Sequence, residues 1–465
     1  MALQPSTLRL PDALSDSLGM ICEKIRSAGG RAYLVGGCVR DLLIGKGAVE
    51  WDLEVFSIGS VALEELFDGA IDFVGKSYGI YRFRKYPIDM GVPRMERATG
   101  PGHREFSVTV DPAMAIDEAA VRRDFTVNAI YWDPLENVIH DPFGGIGDLE
   151  KRKLRHVSDR FSEDPLRVLR AMQFVARFSM AVDEKTIAIC RSLSADHLSR
   201  ERIGGEFSKL IVGGEAIGDG LEFLRLCGWL RFFPELEALV HCRQDPTFHP
   251  EGSVWEHVKL AMDAFCQLRP NCTVDALAVG FAVLCHDFGK PATAERRQGH
   301  GPAGVAPARK FLERLAVAKD IVAMVLPLVA KHMVPRTFGD PAAATVGTLR
   351  RLAWEVGRID LLLAVARCDN LGRALARHNF AGEDRLERMA AAECLLHSPP
   401  KPLVRGRDLC EELQMQPSPL VGATLARVFN AQLDGEFSSR TEAMAAARRM
   451  VMELSGSGSG TLPIK

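Results

Sequence analysis

The chain has 465 residues, 47% hydrophobic and 25% charged, with 58 Lys plus Arg against 60 Asp plus Glu. That length holds two to four domains around a large core, and the near-neutral balance excludes a global field drawing in nucleic acid. Eleven scattered cysteines without a CxxC pair argue for a reducing compartment and against structural zinc.

Residues 1–30 read as an amphipathic helix (Leu14, Leu18, Ile21, Ile25), not a secretory leader, because acids interrupt the apolar run. No apolar run reaches membrane-spanning length, so a cytoplasmic protein without a membrane partner is expected. Tyr33-Leu-Val-Gly-Gly-Cys-Val-Arg-Asp41 then reads as a strand, a Gly-Gly turn and a helix start. Gly36 and Gly37 let backbone approach a phosphate, Arg40 adds a positive fork, and Asp41 is placed to bond amides of the helix start. Nine residues on, Glu50, Asp52 and Glu54 alternate on a strand and share one face, where a divalent cation would meet a triphosphate. The same alternation also suits a solvated strand face.

Val61–Phe67 reads as a short helix, and Tyr78–Arg84 and Tyr86–Met90 as strands. Asp89 stands between Ile88 and Met90 on a central-looking strand; burying it alone is costly, which makes it the candidate third metal ligand, or else an Asp in a turn after Pro87. Residues 95–104 read as a mobile basic loop. Arg123 and Asp124, between an Ala-rich helix and a strand, suit a ribose and its phosphates.

From about residue 151 the periodicity turns helical to the end, with breaks at 246–252, 299–302 and 398–402 and a flexible tail from Ser455 to Gly460. Residues 151–170 carry seven basic side chains against three acids, a local patch for RNA or a solvated face. Ser162 reads as the cap of a helix with Pro165 in its first turn. Asp164 and Arg167, three apart, are neighbours on one face of it, as a recognition pair or a local salt bridge. His257, the pair His286-Asp287 and the distant Asp369 supply mixed N/O ligands for a divalent transition metal; His300 and His332 complete a second site.

The first motifs resemble those of class II tRNA nucleotidyltransferases, the CCA-adding enzymes, whose pattern is Gly-Gly-x-Val-Arg-Asp followed by Asp-x-Asp. This chain has Gly36-Gly37-Cys38-Val39-Arg40-Asp41 and then Glu50-Trp51-Asp52, with Glu in place of the first Asp. Gln298-Gly-His-Gly-Pro-Ala-Gly-Val305 and the histidine set resemble the HD-bearing, multifunctional bacterial members. The resemblance implies an α+β, polymerase-beta-like head with a mixed or antiparallel sheet (1–150). An all-α neck (151–240), an HD phosphohydrolase-like body (241–375) and a helical C-terminal region (376–465) are to follow it.

It implies addition and repair of the tRNA 3′-terminal CCA from CTP and ATP, with tRNA and not DNA as partner. Glu50 and Asp52 would hold Mg²⁺, with Asp89 the third catalytic carboxylate. Gly37, Arg40, Arg123, Asp124 and Arg170 would bind sugar and phosphates. Asp164 and Arg167 would read the base edge, Glu201, Arg202 and Glu206 bracing their helix, and Gln173 replaces an Arg of some relatives. His257, His286, Asp287 and Asp369 would hold Ni²⁺ or Mn²⁺ for hydrolysis of phosphate esters. A poly(A) polymerase, a split CC- or A-adding enzyme, and a phosphohydrolase with an inactive RNA-binding head are the alternatives.

Overall fold

The computed structural model describes residues 8–75, 79–98, 106–293 and 299–456. The chain divides into two compact units, Met1–Pro234 and Glu235–Lys465.

The first unit opens with α1 (Asp12–Ser27), whose Leu14, Leu18, Ile21 and Ile25 are all buried, as the period-3.6 spacing requires. Then come β1 (Arg31–Val35), α2 (Gly37–Leu43), β2 (Trp51–Phe56), α3 (Ser60–Leu66), β3 (Ile71–Gly75), β4 (Ile80–Phe83) and β5 (Ile88–Gly91). A separate two-stranded ribbon, β6 (Arg94–Ala98) with β7 (Phe106–Val110), is followed by α4 (Ile116–Ala120), β8 (Tyr131–Asp133) and β9 (Val138–His140). The main sheet runs β3-β4-β5-β2-β1-β8-β9, antiparallel throughout except for the β2–β5 pair. The expected mixed sheet is therefore found. Tyr33, Phe56 and Tyr131 pack edge to face behind it, centroids 5.5–6.4 Å apart, over Met114, Ala119 and Ala120. The basic loop expected at 95–104 is corrected in part: Met95 to Ala98 pair with Phe106 to Thr109 as a ribbon, and residues 99–105 lie outside the described residues.

The unit continues through α5 (Gly145–Glu150), β10 (Lys153–Leu154), a 3₁₀ turn (Asp159–Glu163), α6 (Leu166–Phe178), β11 (Ala181–Val182), α7 (Glu184–Ser192), α8 (Arg200–Gly213) and α9 (Ile217–Leu226). The short parallel pair of β10 and β11 interrupts what reads as purely helical sequence. Helix α6 is the hub: it packs on α8 and α9, Val168, Leu169 and Met172 are buried, and Phe174 lies against Phe125. Gly220 lets α9 come close, since a Cβ there would lie 2.7 Å from the Met172 carbonyl oxygen. Ser162 does not cap α6. Its hydroxyl turns back to the Asp159 carbonyl within the 3₁₀ turn, and Asp164 Oδ1 accepts from the Leu166 amide instead.

The described residues of the second unit form helices: α10 (Pro234–Val240), α11 (Val254–Leu268), α12 (Thr273–Cys285), α13 (Lys290–Thr293), α14 (His300–Arg314), α15 (Lys319–Lys331), α16 (Val334–Thr337), α17 (Val346–Val356), α18 (Ile359–Leu371), α19 (Ala381–Ala392), α20 (Gly406–Glu412), α21 (Pro419–Asp434) and α22 (Arg440–Gly456). The break expected at 299–302 ends sooner, because α14 starts at His300 and Pro302 sits in its first turn, where no amide partner is lost. Likewise α22 runs to Gly456, and the remainder of the expected tail lies outside the described residues. Helices α11, α12, α15 and α18 pack on one another, and Val404, Leu409, Val421, Val428 and Met444 build a separate cluster near the C-terminus.

Candidate active sites

In the first unit the Gly-Gly turn, Arg123 and Asp52 converge. Gly36 has φ +84° and ψ −135°, and a Cβ there would stand 3.1 Å from Arg123 Nη1 and 3.5 Å from Asp52 Oδ2. Only glycine permits both the dihedrals and the approach. Parallel pairing of β2 with β5 sets Asp52 and Asp89 in register, and antiparallel pairing of β5 with β4 sets Arg82 opposite Asp89. Arg82 grips Asp89 with two bonds of 2.6 Å. Asp89 is therefore half-exposed and paired, contrary to the buried, solitary carboxylate read from its apolar neighbours, yet it stands directly beside Asp52. Although Asp52 is exposed as a residue, the recess desolvates its carboxyl and raises its pKa; Asp89, Glu50 and Glu54 add to this and Arg123 opposes it.

Glu50 and Glu54 differ in kind. Glu50 is exposed in a bend just before β2, and its negative charge is felt at Asp52. Glu54 is buried beneath Arg122, Arg123 and the Tyr131 hydroxyl, with 3.0 Å to Arg123 and 2.9 Å to Tyr131. Burial alone would raise its pKa, but the two guanidinium groups overcome that and hold it at about 2. Glu54 is thus spent on Arg122 and Arg123 and does not share an open face with Asp52.

The nucleotide-binding candidates form two layers. Arg40 is only 4% exposed. It binds Asp41 Oδ1 through Nε and Nη2 and Asn128 Oδ1 through Nη1, and lies over the Phe174 and Phe178 rings at 4.9 and 4.6 Å. It pins α2 to α6 from below, rather than presenting a free fork beside Gly37, and Asp41 binds that guanidinium instead of capping amides. Asp124 is buried, accepts from Asn128, the Phe125 amide and Arg170 Nε (2.7 Å), and is lowered to about 2 because Arg170 outweighs the cost of burial. Arg123 and Asp124 therefore sit together, but on Glu54 and Arg170 respectively. Asp164 and Arg167 do not share a helical face, since α6 begins only at Leu166. Asp164 pairs with Arg202 of α8 at 2.7 Å, and Arg167 donates to the Arg160 and Arg122 carbonyls at 2.7 and 2.6 Å. The local Asp164–Arg167 salt bridge is replaced by these longer-range ties. Gln173 is buried, its Oε1 accepting from Arg177.

In the second unit His257 (α11), His286 and Asp287 (just after α12), and Asp369 (α18) meet. His257 Nε2 is 3.1 Å from His286 Nε2 and 3.0 Å from Asp369 Oδ1. His300 Nε2 lies 3.1 Å from His332 Nε2 and 3.5 Å from Asp287 Oδ1. The Nδ1 atoms of His286 and His332 donate to the Val283 and Val329 carbonyls, and His257 Nδ1 lies 3.1 Å from Gly372 O. Their Nε2 lone pairs are thereby aimed inward, where they repel one another unless a cation lies between. Both oxygens of Asp287 and Oδ2 of Asp369 are buried without a well-directed hydrogen bond, although Lys290 Nζ is 2.7 Å from Asp287 Oδ2. Buried carboxylate oxygens with unfilled hydrogen-bonding capacity, facing imidazole lone pairs, fit a divalent cation. The donors fall into two groups, His257–His286–Asp369 and Asp287–His300–His332.

A cavity of about 660 Å³ opens onto this centre, lined among others by Arg243, Phe248, Lys290, Arg336 and Arg373. Those cations suit a phosphate ester. Sequence reasoning missed Arg122, Tyr131 and Asn128 in the first site and Arg336 and Arg373 in the second. Two of these gave a signal: Arg122 adjoins Arg123 in an Arg-Arg-Asp run, and Arg373 stands four residues past Asp369, just beyond the end of α18.

Residues 32–155 match the poly A polymerase head domain. A multifunctional CCA protein of Xylella fastidiosa is 35% identical over 315 residues, 65% of this chain and 74% of the relative. One from Nitrosococcus oceani is 34% identical over 407 residues, 83% of this chain and 96% of the relative. In fold, the chain is similar to the Bacillus stearothermophilus CCA-adding enzyme in complex with CTP (TM-score 0.66, 22% identity, 96% of this chain and 100% of the other). It is also similar to the Thermotoga maritima CCA-adding enzyme complexed with tRNA (TM-score 0.57, 16% identity, 96% and 97%). Among the described residues no helix is long and apolar enough to cross a membrane.

Proposed function

The chain belongs to the multifunctional CCA proteins, and from that premise we propose how its own residues carry out the work of a CCA-adding tRNA nucleotidyltransferase. It adds and repairs the tRNA 3′-terminal CCA from CTP and ATP and depends on a divalent metal. The observation that carries the assignment of residues is Asp52 at the mouth of the Gly36 turn, with Asp89 in register beside it. Asp52, Glu50 and Asp89 are the residues to hold Mg²⁺. Bound there, Mg²⁺ supplies the positive charge that assists the RNA 3′-hydroxyl and the departing pyrophosphate. The turn at Gly36 and Gly37 presents backbone to the phosphates, while Arg40 below it fixes α2 without touching the nucleotide.

Asp164 and Arg167 select the base. An Asp oxygen accepts from the exocyclic amine that C and A share and U and G lack, and Arg donates to ring acceptors. Arg202 and the Arg122 and Arg160 carbonyls hold the two side chains in place, so discrimination needs no nucleic-acid template. We assign Arg123 and Asp124 to the ribose, and Arg170, which Asp124 holds at 2.7 Å, to the triphosphate. We assign residues 1–150 to the head, 151–240 to the neck, 241–375 to the HD body and 376–465 to the C-terminal region. Eleven free cysteines support a cytoplasmic protein. Incubation with tRNA lacking CCA and each nucleotide in turn tests this: CTP and then ATP are incorporated. Runs of A alone would favour a poly(A) polymerase, and C alone or A alone a split enzyme.

A second activity is supported by the buried carboxylates of Asp287 and Asp369 set against the histidine nitrogens. His257, His286, Asp287 and Asp369 are suited to Ni²⁺ or Mn²⁺, with His300 and His332 beside them. There the metal supplies Lewis-acid activation for hydrolysis of a phosphate ester. Lys290, Arg336 and Arg373 bind the phosphate in the adjoining cavity. Release of phosphate from a 2′,3′-cyclic nucleotide, assayed with Ni²⁺, Mn²⁺ and Mg²⁺, tests it; no release with any of them reduces this centre to a structural role.

A further inference from the structure

The loop before α11 carries Glu251, six residues ahead of His257, and its side chain is only 2% exposed. One oxygen, Oε1, lies 3.1 Å from His257 Nδ1 and 2.8 Å from His249 Nδ1. The other, Oε2, accepts from the Ala374 amide at 3.2 Å, just past the end of α18. One buried carboxylate thus ties the loop, the first histidine of the centre and the helix that carries Asp369.

The histidines of the centre are not equivalent in this respect. His286 and His332 rest their second nitrogens on carbonyls three residues back in their own helices, a neutral support. His257 Nδ1 meets an anion in addition to the Gly372 carbonyl. A carboxylate behind a ligating imidazole fixes the tautomer with Nδ1 protonated, directs Nε2 at the cation and makes that nitrogen a stronger donor. His249, which lines the cavity, shares the same oxygen, so the cavity wall and the orientation of His257 meet at one atom.

We propose that Glu251 is a positioning residue of the metal centre, setting its affinity for a divalent transition metal through His257, with His249 holding the carboxylate from the cavity side. The inference rests on reading the histidine set as a metal centre. The test uses the full chain, stripped with chelator and dialysed, and titrates Ni²⁺ and Mn²⁺ calorimetrically, with the Ni²⁺ visible absorption as a second readout and CCA addition as the check of folding. Glu251→Gln keeps the shape but loses the anion; it weakens metal binding about 10- to 100-fold and shifts the Ni²⁺ spectrum, while CCA addition is retained. Glu251→Asp recovers part of the affinity, and His249→Ala costs less than Glu251→Gln.

Parent-like affinity in Glu251→Gln overturns the positioning role and leaves the metal centre standing. A parent chain that takes up neither ion overturns both. Should Glu251→Gln lose CCA addition as well, Glu251→Asp decides: weakened binding with intact addition supports the role, and unchanged binding rejects it.

Discussion

At the scale of single residues, Glu54 is the clearest case of a carboxylate whose charge the fold demands. Its pKa drops from 4.5 to about 2, so its contribution is fully present above pH 4.5 and is lost as the pH falls toward 2. Glu54→Gln leaves two guanidinium groups facing a neutral amide. Breaking such a buried pair costs about 3 kcal/mol, the low end of the usual range because Arg122 and Arg123 remain 24% and 19% exposed. Urea unfolding measured across pH 2–7 checks both points, since the variant is weaker at pH 7 and its stability falls less steeply below pH 4.5. Asp52→Ala removes more than about 100-fold of nucleotide addition, as even outer partners of a metal site cost 10- to 100-fold. Glu50→Asp keeps or raises activity, and Mn²⁺, with its laxer geometry, helps the parent more than that variant. Arg167→Ala flattens the relative use of CTP, ATP, UTP and GTP, because a site built on paired hydrogen bonds discriminates poorly once one partner is gone. Steady-state incorporation of each nucleotide measures all three.

At the scale of elements, two glycines set distances that no other residue permits. Gly36→Ala forces a Cβ onto Arg123 in a backbone region reserved for glycine, a strain of about 1–3 kcal/mol. It lowers both the unfolding midpoint and the rate of nucleotide addition. Gly289, after the HD pair, is tighter still: a Cβ there would lie 2.0 Å from the His300 carbonyl oxygen and 2.6 Å from the Gly304 amide nitrogen. Gly289→Ala therefore pushes the start of α14, and His300 with it, away from Asp287. Calorimetric titration with Ni²⁺ should show weakened binding while CCA addition continues.

At the scale of the whole molecule, the two candidate sites draw on different units, Met1–Pro234 for the carboxylates and base-reading side chains and Glu235–Lys465 for the histidine centre. No residue is common to both. His286→Ala combined with Asp287→Ala abolishes metal-dependent phosphate release from a 2′,3′-cyclic nucleotide and leaves CCA addition largely intact. Paired assays on one preparation check this, and loss of both activities together would contradict the separation.

Much of the chain is legible from local pattern alone. The amphipathic first helix and the strand–turn–helix of residues 31–43 follow from periodicity and glycine punctuation, because each depends on neighbours a few positions apart. The mixed sheet and the grouping of the histidine set, whose members stand up to 112 residues apart, come instead from the family resemblance of the motifs. What the sequence does not determine is which charge answers which. Asp164 lies three residues from Arg167 and looks paired to it, but a cap at Leu166 turns it to Arg202, 38 residues away. Arg40 looks free beside the glycine turn, but the Phe174 and Phe178 rings and Asn128 bury it. Asp89 looks buried and alone until β4 brings Arg82 opposite it. Ion pairs are settled by which surfaces meet when strands register and helices pack, and electrostatic partners are chosen by distance through space. That distance is a property of the tertiary structure alone.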